Sequence, residues 1–167
     1  MTKVIIESFG WLYLVIVLDW YTKKIVGYSI STRSRANDWL DAVNMACNNQ
    51  FPNSILGKDQ DLYLVSDNGS QPASLAFMKA CSVMEIKEIF ASYSNPRGNA
   101  DTERAIRTIK HDFIWVREFR SSIEFTEQFG LWVEGYNTDR PHSTIGYRRP
   151  CDFEKEQLTL ITKNSLD

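Results

Sequence analysis

Two acids in this sequence stand where a carboxylate can do chemistry. Asp67 closes the short apolar run Leu62-Tyr63-Leu64-Val65-Ser66 and is followed at once by Asn68-Gly69. A turn directly after a strand directs the acid outward at the strand's carboxyl end, where α/β folds carry their sites. Glu103 lies near the start of a helix, with Arg107 and Lys110 four and seven residues further on, so the three share one helical face. Two carboxylates on different elements can hold a hard divalent cation, and a face lined with bases beside it suits a phosphate backbone. Each residue also has a plainer reading. Asp-Asn-Gly is a common turn, an acid at a helix start complements the helix dipole, and Glu–Arg–Lys is an ordinary surface ion-pair ladder. Spacing alone leaves both readings open.

Hydropathy patterning supplies the elements that must position these acids. Residues 12–18 form a continuous β-branched apolar run, which predicts a strand buried on both faces. Residues 19–24 turn the chain into a returning strand over 25–30, and Val4-Ile5-Ile6 is the remnant of a strand before this hairpin. Ala36, Leu40, Val43 and Cys47 lie on one helical face. Residues 51–61 form a loop, 62–65 a strand, 73–84 a helix and 86–90 a further strand. Residues 92–99 are crowded with turn formers and predict a loop. A long helix is expected over 102–120 with Ile106, Ile109, Phe113 and Val116 inward. Ser121-x-x-Glu124 then reads as a capping box opening a helix that carries Phe125, Phe129, Trp132, Val133 and Tyr136. Residues 137–149 are polar loop, and Pro150 opens a short last helix. This order predicts an α/β fold with a mixed sheet flanked by helices and a C-terminal helical extension. The division is a core over 1–150 and a tail over 151–167.

Composition narrows the class. The 167 residues are 43% hydrophobic and 24% charged, with 13% aromatics, which predicts a folded domain and excludes a disordered or collagen-like chain. The three cysteines, Cys47, Cys81 and Cys151, have no metal-ligand spacing and fit reduced thiols in a cytoplasmic protein. The longest apolar run is too short to span a bilayer. The net charge of −2 means that any nucleic-acid site is local. His111 follows Lys110 and predicts a solvated side chain. His142, after Arg140-Pro141, has no evident base partner and reads as structural or close to bound DNA. Arg148-Arg149 fits a surface pair, Trp132 and Tyr136 are spaced for the core, and Asp101 faces away from Glu103.

Trp11 to Asp19, followed by Lys24-Ile25-Val26-Gly27, resembles the second and third strands of the integrase catalytic core. Ser66-Asp67-Asn68-Gly69-Ser70-Gln71 resembles the segment around that family's second catalytic acid. Asn95-Pro96-Arg97-Gly98-Asn99, Glu103-Arg104 and Thr108-Ile109-Lys110 resemble the loop and helix of its third, and 35 residues separate the two acids. Tyr136-Asn137, Arg140-Pro141-His142-Ser143, Gly146-Tyr147 and Pro150 are similar to the C-terminal signature of bacterial insertion-sequence transposases made by frameshifting. The resemblance implies a ribonuclease H-like fold and an Asp-Asp-Glu transposase or integrase. Such an enzyme would use two magnesium or manganese ions to cut DNA and join a 3′-hydroxyl to a new phosphodiester. By position it makes Asp67 and Glu103 metal ligands, and Arg107 and Lys110 DNA contacts, with Asn99 and Gly98 in the catalytic loop. It further implies DNA as partner, a homodimer or larger assembly on that DNA, no membrane association, and the bacterial cytoplasm as location.

The family's first catalytic acid sits in a Trp-x-x-Asp-x-Thr pattern. Here the Thr corresponds to Thr2 or nearby, and the Asp would fall just before Met1. Asp19 matches a different family acid, at the end of the second strand, and is the residue available as a substitute. The expectation is a catalytically weak chain with little DNA selectivity, because the family's helix-turn-helix segment is also absent from this sequence. Three rival readings stand beside it: an inactive remnant that binds DNA or full-length transposase, a ribonuclease H-type nuclease acting on RNA–DNA hybrids, and an unrelated α/β domain.

Overall fold

In a computed structural model the structure describes residues 1–7, 9–56, 61–91 and 99–164. Thr2–Ile6 (β1), Gly10–Leu18 (β2) and Ile25–Ser31 (β3) form an antiparallel sheet in the order β1-β2-β3. The helix Ala36–Gln50 (α1) follows, and then Leu62–Ser66 (β4), Leu75–Val83 (α2) and Ile86–Phe90 (β5). β4 and β5 pair in parallel across α2, from Leu62 opposite Ile86 to Ser66 opposite Phe90. The chain closes with Ala100–Ile109 (α3), Ser122–Thr138 (α4) and Pro150–Asn164 (α5). This is the expected mixed α/β order.

The expected strand remnant is a full strand. β1 pairs with β2 from Thr2–Leu14 to Ile6–Gly10 and alternates, with Thr2, Val4 and Ile6 buried and Lys3 and Ile5 exposed. Leu14, Val15 and Ile16 of β2 are buried in succession, as a strand covered on both faces must be. On one face Val4, Ile6, Leu12, Leu14, Ile16 and Ile25 pack against Ala105 and Ile109 of α3, Phe113, and Phe125, Phe129 and Val133 of α4. On the other, Val43, Phe77, Cys81 and Ile86 join α1 and α2 to the parallel pair. Gly27 lets α1 lie directly on β3, because a Cβ there would come 2.7 Å from the Ala46 nitrogen.

Three helical expectations need correction. The helix expected over 102–120 is α-helical only from Ala100 to Ile109 and then winds through a π-turn, Lys110–Ile114, closed by Trp115 N donating to the Lys110 carbonyl at 2.9 Å. An i→i+5 turn sets the helix back by about one residue. Phe113 keeps its expected place in the core with Ala105 and Ile109, whereas Val116, beyond the π-turn, is 64% exposed. The helix expected from residue 73 starts at Leu75, capped by the Ser74 hydroxyl, which accepts from Phe77 N. The last helix is longer than expected, at 15 residues. Elsewhere Ser121 caps α4 by accepting from Glu124 N at 3.1 Å, and the Glu124 carboxylate returns the bond to Arg120 N at 2.7 Å.

The loop expected from residue 137 begins two residues later, and Asn137 is buried in the last turn of α4. Its Oδ1 accepts from Ile25 N and its Nδ2 donates to the Ile25 carbonyl, each at 2.9 Å. The amide thus pairs with the outer edge of β3 as a neighbouring strand's peptide would. Asn137→Leu leaves both Ile25 groups buried and unpaired, and is expected to lower the unfolding free energy by about 2–4 kcal/mol, read as a reduced urea midpoint at unchanged slope.

Candidate active site

Ser66 ends β4 half-paired with Phe90, and Ala91 N donates to the Ser66 carbonyl at 2.8 Å, so the strand's end is firmly held. Asp67 follows in an Asx turn: its Oδ1 accepts from Gly69 N at 3.1 Å, and the side chain is exposed. Asn68 ties the turn to β5 by donating to the Ala91 carbonyl at 3.1 Å. Burial pushes the Met1 amine below its ordinary pKa, while the negative charge of Asp67 favours its protonation and the positive charge of Lys110 opposes it. Asp67 at the end of β4 and Lys110 after α3 thus both lie within electrostatic reach of the start of β1. Gln71 supports it by donating to the Ser34 carbonyl at 3.2 Å, and the Ser34 hydroxyl lies 3.0 Å from the Met1 sulfur.

Glu103 and Arg107 are exposed on α3 and Lys110 is half-buried at the head of the π-turn. Glu103 N donates to the Asn99 carbonyl at 3.0 Å, fixing the first turn. The Asn99 side-chain oxygen is buried with no hydrogen-bond partner among the described residues. Gly98 lies outside the described residues. Asp67 and Glu103 have the hard oxygen donors that magnesium or manganese prefers. Among the described residues, however, no three His, Cys, Asp or Glu side chains gather as a metal-holding group. The donor type fits such a cation, and the donor number falls short of a three-acid set.

Asp19 is engaged in a turn. Its Oδ1 accepts from Tyr21 N at 2.9 Å and its Oδ2 from the Thr22 hydroxyl at 2.6 Å, while Lys23 takes a left-handed backbone at φ +64°. Sequence reasoning missed what this turn does next. Trp20 Nε1 donates to the Thr102 hydroxyl at 3.1 Å, and Lys23 Nζ pairs with Asp101 at 2.9 Å. Both partners are in the first turn of α3, directly before Glu103. The far side of the same turn grips α5: Lys24 pairs with Glu154 at 2.6 Å, the Tyr21 hydroxyl donates to Gln157 at 2.8 Å, and the Tyr21 ring meets Phe153. The signal that was available was the polar run Tyr21-Thr22-Lys23-Lys24 at a hairpin end, too common to single out.

His142 packs edge-on against Tyr136 with ring centroids 4.9 Å apart, and its backbone N–H donates to the Arg148 carbonyl at 2.9 Å. Burial, with Arg140 and Lys23 nearby, holds its imidazole below the ordinary value, and burial pushes the Tyr136 phenol up to about 12. Arg140 pairs with Asp112 in the π-turn, so the segment after α4 is tied back to the helix of Glu103. His111 is exposed but not merely solvated, since its ring lies edge-on to Trp115 at 4.6 Å.

Two family models for the integrase core domain match the chain, one over residues 1–96 and the other over 84–150. The chain belongs to the integrase core domain family. It is 31% identical over 147 residues to a transposase for insertion sequence element IS904 of Lactococcus lactis subsp. lactis, covering 87% of this chain and 56% of that protein. It is 26% identical over 151 residues to the transposase InsF for insertion sequence IS3A of Escherichia coli, covering 89% and 50%. The chain thus spans about half the length of these relatives. Among solved structures it is similar to the HTLV-2 integrase catalytic core domain in complex with magnesium, with a TM-score of 0.66 at 15% identity, covering 91% of this chain and 90% of that one. It is also similar to the catalytic core domain of BIV integrase, with a TM-score of 0.63 at 16% identity, covering 96% and 95%. These likenesses establish the ribonuclease H-like fold.

Asp19→Ala is expected to destabilise the chain by about 1–2 kcal/mol through the lost turn bonds. Hydrogen exchange should rise both in 19–24 and in the first turn of α3; a rise confined to the hairpin would sever the two. Because unfolded histidine takes up a proton more readily than buried His142, this group removes stability as pH falls below about 6.5. His142→Gln should therefore flatten the loss of urea midpoint between pH 7.5 and 5.5.

Proposed function

We propose that this chain is the catalytic core of an insertion-sequence transposase, cutting DNA and joining a DNA 3′-hydroxyl to a phosphodiester. The observation that carries the reading is the match to the integrase core domain over residues 1–96 and 84–150, with Asp67 exposed at the end of β4 and Glu103 exposed in the first turn of α3. In this reading Asp67 and Glu103 hold the metal, Arg107 and Lys110 lie on the DNA backbone, and Asn99 with Gly98 forms the loop over the scissile phosphate. Bound magnesium or manganese supplies charge neutralisation and activation of the attacking oxygen. Asp19 serves the hairpin turn, where both its oxygens already have donors. In this reading the core ends at residue 150 and 151–167 is a tail, of which the described residues 151–164 are helical and latched to the hairpin. We further propose that the chain works as a homodimer or larger assembly on DNA, in the bacterial cytoplasm. Among the described residues no helix is long and apolar enough to cross a membrane.

We propose weak catalysis by these 167 residues alone, because among the described residues no group of three His, Cys, Asp or Glu forms around Asp67 and Glu103. Nicking of supercoiled plasmid in manganese is the test. Placing an Asp-bearing segment directly before Met1 is expected to raise the rate a hundredfold or more over the parent, several kcal/mol of barrier. Asp67→Asn and Glu103→Gln, each made in the extended form, should abolish that gain. Extended protein that stays inert while remaining folded would favour the inactive DNA-binding remnant, and cleavage of RNA–DNA hybrid without strand joining would favour a ribonuclease H-type nuclease.

A further inference from the structure

The π-turn after α3 does more than turn Val116 outward. In an unbroken α-helix residues 103, 107, 110 and 114 share one stripe, at about 3.6 residues per turn. A set-back of about one residue puts 111 and 115 onto that stripe. Glu103, Arg107, His111 and Trp115 therefore follow one another along a single face, with Lys110 at its edge, and that face starts at the proposed catalytic acid. Trp115 is 64% exposed, and His111, itself exposed, braces the edge of its ring at a centroid distance of 4.6 Å. A large aromatic held in place yet left open to water is a platform, since burial would be its default. Its charged neighbours indicate the occupant. Arg107 and Lys110 precede it on the face, the exposed Arg117 follows, and Asp112 is neutralised by Arg140. Glu118 is the remaining exposed acid beside them.

We infer that Trp115, braced by His111, is a stacking platform for an unpaired nucleobase of the DNA strand whose backbone runs along Arg107 and Lys110. The inference rests on the DNA-processing reading above and deepens it, by naming the form of DNA: an end with unpaired bases. Cations on one stripe with an aromatic at its far end match a single strand, in which backbone charge and base π-face are both accessible. A closed duplex offers only the charge.

The test is fluorescence polarisation of the 167-residue protein with labelled oligonucleotides, one a blunt duplex and one the same duplex with a single-stranded 3′ overhang, at low salt. The parent should prefer the overhang. Trp115→Ala should weaken overhang binding by about five- to fiftyfold, leave blunt-duplex binding unchanged and keep the same salt dependence, because stacking releases no counterions. Trp115→Phe should recover most of the affinity. Arg107→Ala and Lys110→Ala should weaken both ligands and each lower the salt slope by about one. Trp115 is exposed, so its variants are expected to keep the parent's circular dichroism and melting temperature. If Trp115→Ala binds the overhang like the parent while Arg107→Ala does not, the platform is overturned and the DNA reading stands. If Trp115→Ala changes the sedimenting species without changing DNA affinity, the face belongs to a second copy of the chain, and the platform is overturned again. If the parent binds neither oligonucleotide, both readings fall together.

Discussion

The site hangs on a six-residue turn between two antiparallel strands. Asp19 closes it, taking a backbone N–H and a hydroxyl on its two oxygens, and Lys23 completes it in the left-handed region, a conformation unfavourable to a residue with a Cβ. Once closed, the turn aims four side chains at two helices. Trp20 and Lys23 take hold of Thr102 and Asp101, and Tyr21 and Lys24 take hold of Gln157 and Glu154. Asn137 then fastens a third helix one residue further on, at Ile25. A short polar connection thereby fixes α3, α4 and α5 against the sheet, and with α3 it fixes the azimuth of Glu103.

These ties differ in weight. The Lys23–Asp101 and Lys24–Glu154 pairs are partly sheltered, and ion pairs of this kind stabilise modestly. The Asn137 bonds are buried and neutral, so losing them leaves peptide groups stranded away from water, which is the larger penalty. The bulk of the free energy lies in the aromatic and aliphatic core between sheet and helices, where Phe113, Phe125 and Phe129 are fully buried. The polar ties decide orientation. Hydrophobic burial is non-directional and would tolerate a helix rotated or slid along its axis, whereas paired N–H and carbonyl groups would not.

The π-turn shows the same division of labour within one helix. An α-helix that kept its register would bring both Phe113 and Val116 to the core. In the structure Phe113 keeps its buried place and Val116, past the π-turn, is exposed. The outer face is re-indexed at the same time, which is how Trp115 comes to lie in line with Arg107.

Much of the architecture could be read from the residues. Alternation in β1, the β-branched run of β2 and the Ser121 cap each follow from period and local hydrogen bonding, and so does the placement of Asp67 at a strand end. These are short-range properties, set by neighbours a few residues away. The bonds from Trp20 to Thr102 and from Ile25 to Asn137 span 82 and 112 residues, and no local pattern reports them. The fate of Val116 was illegible for a related reason, because core volume set the helix register and the helix's own period did not. The sequence by itself determined which side chains carry charge, which runs form strands or helices, and which acids stand at element ends. Tertiary structure alone decided which of those ends meet, because that depends on how one core is filled by elements distant along the chain.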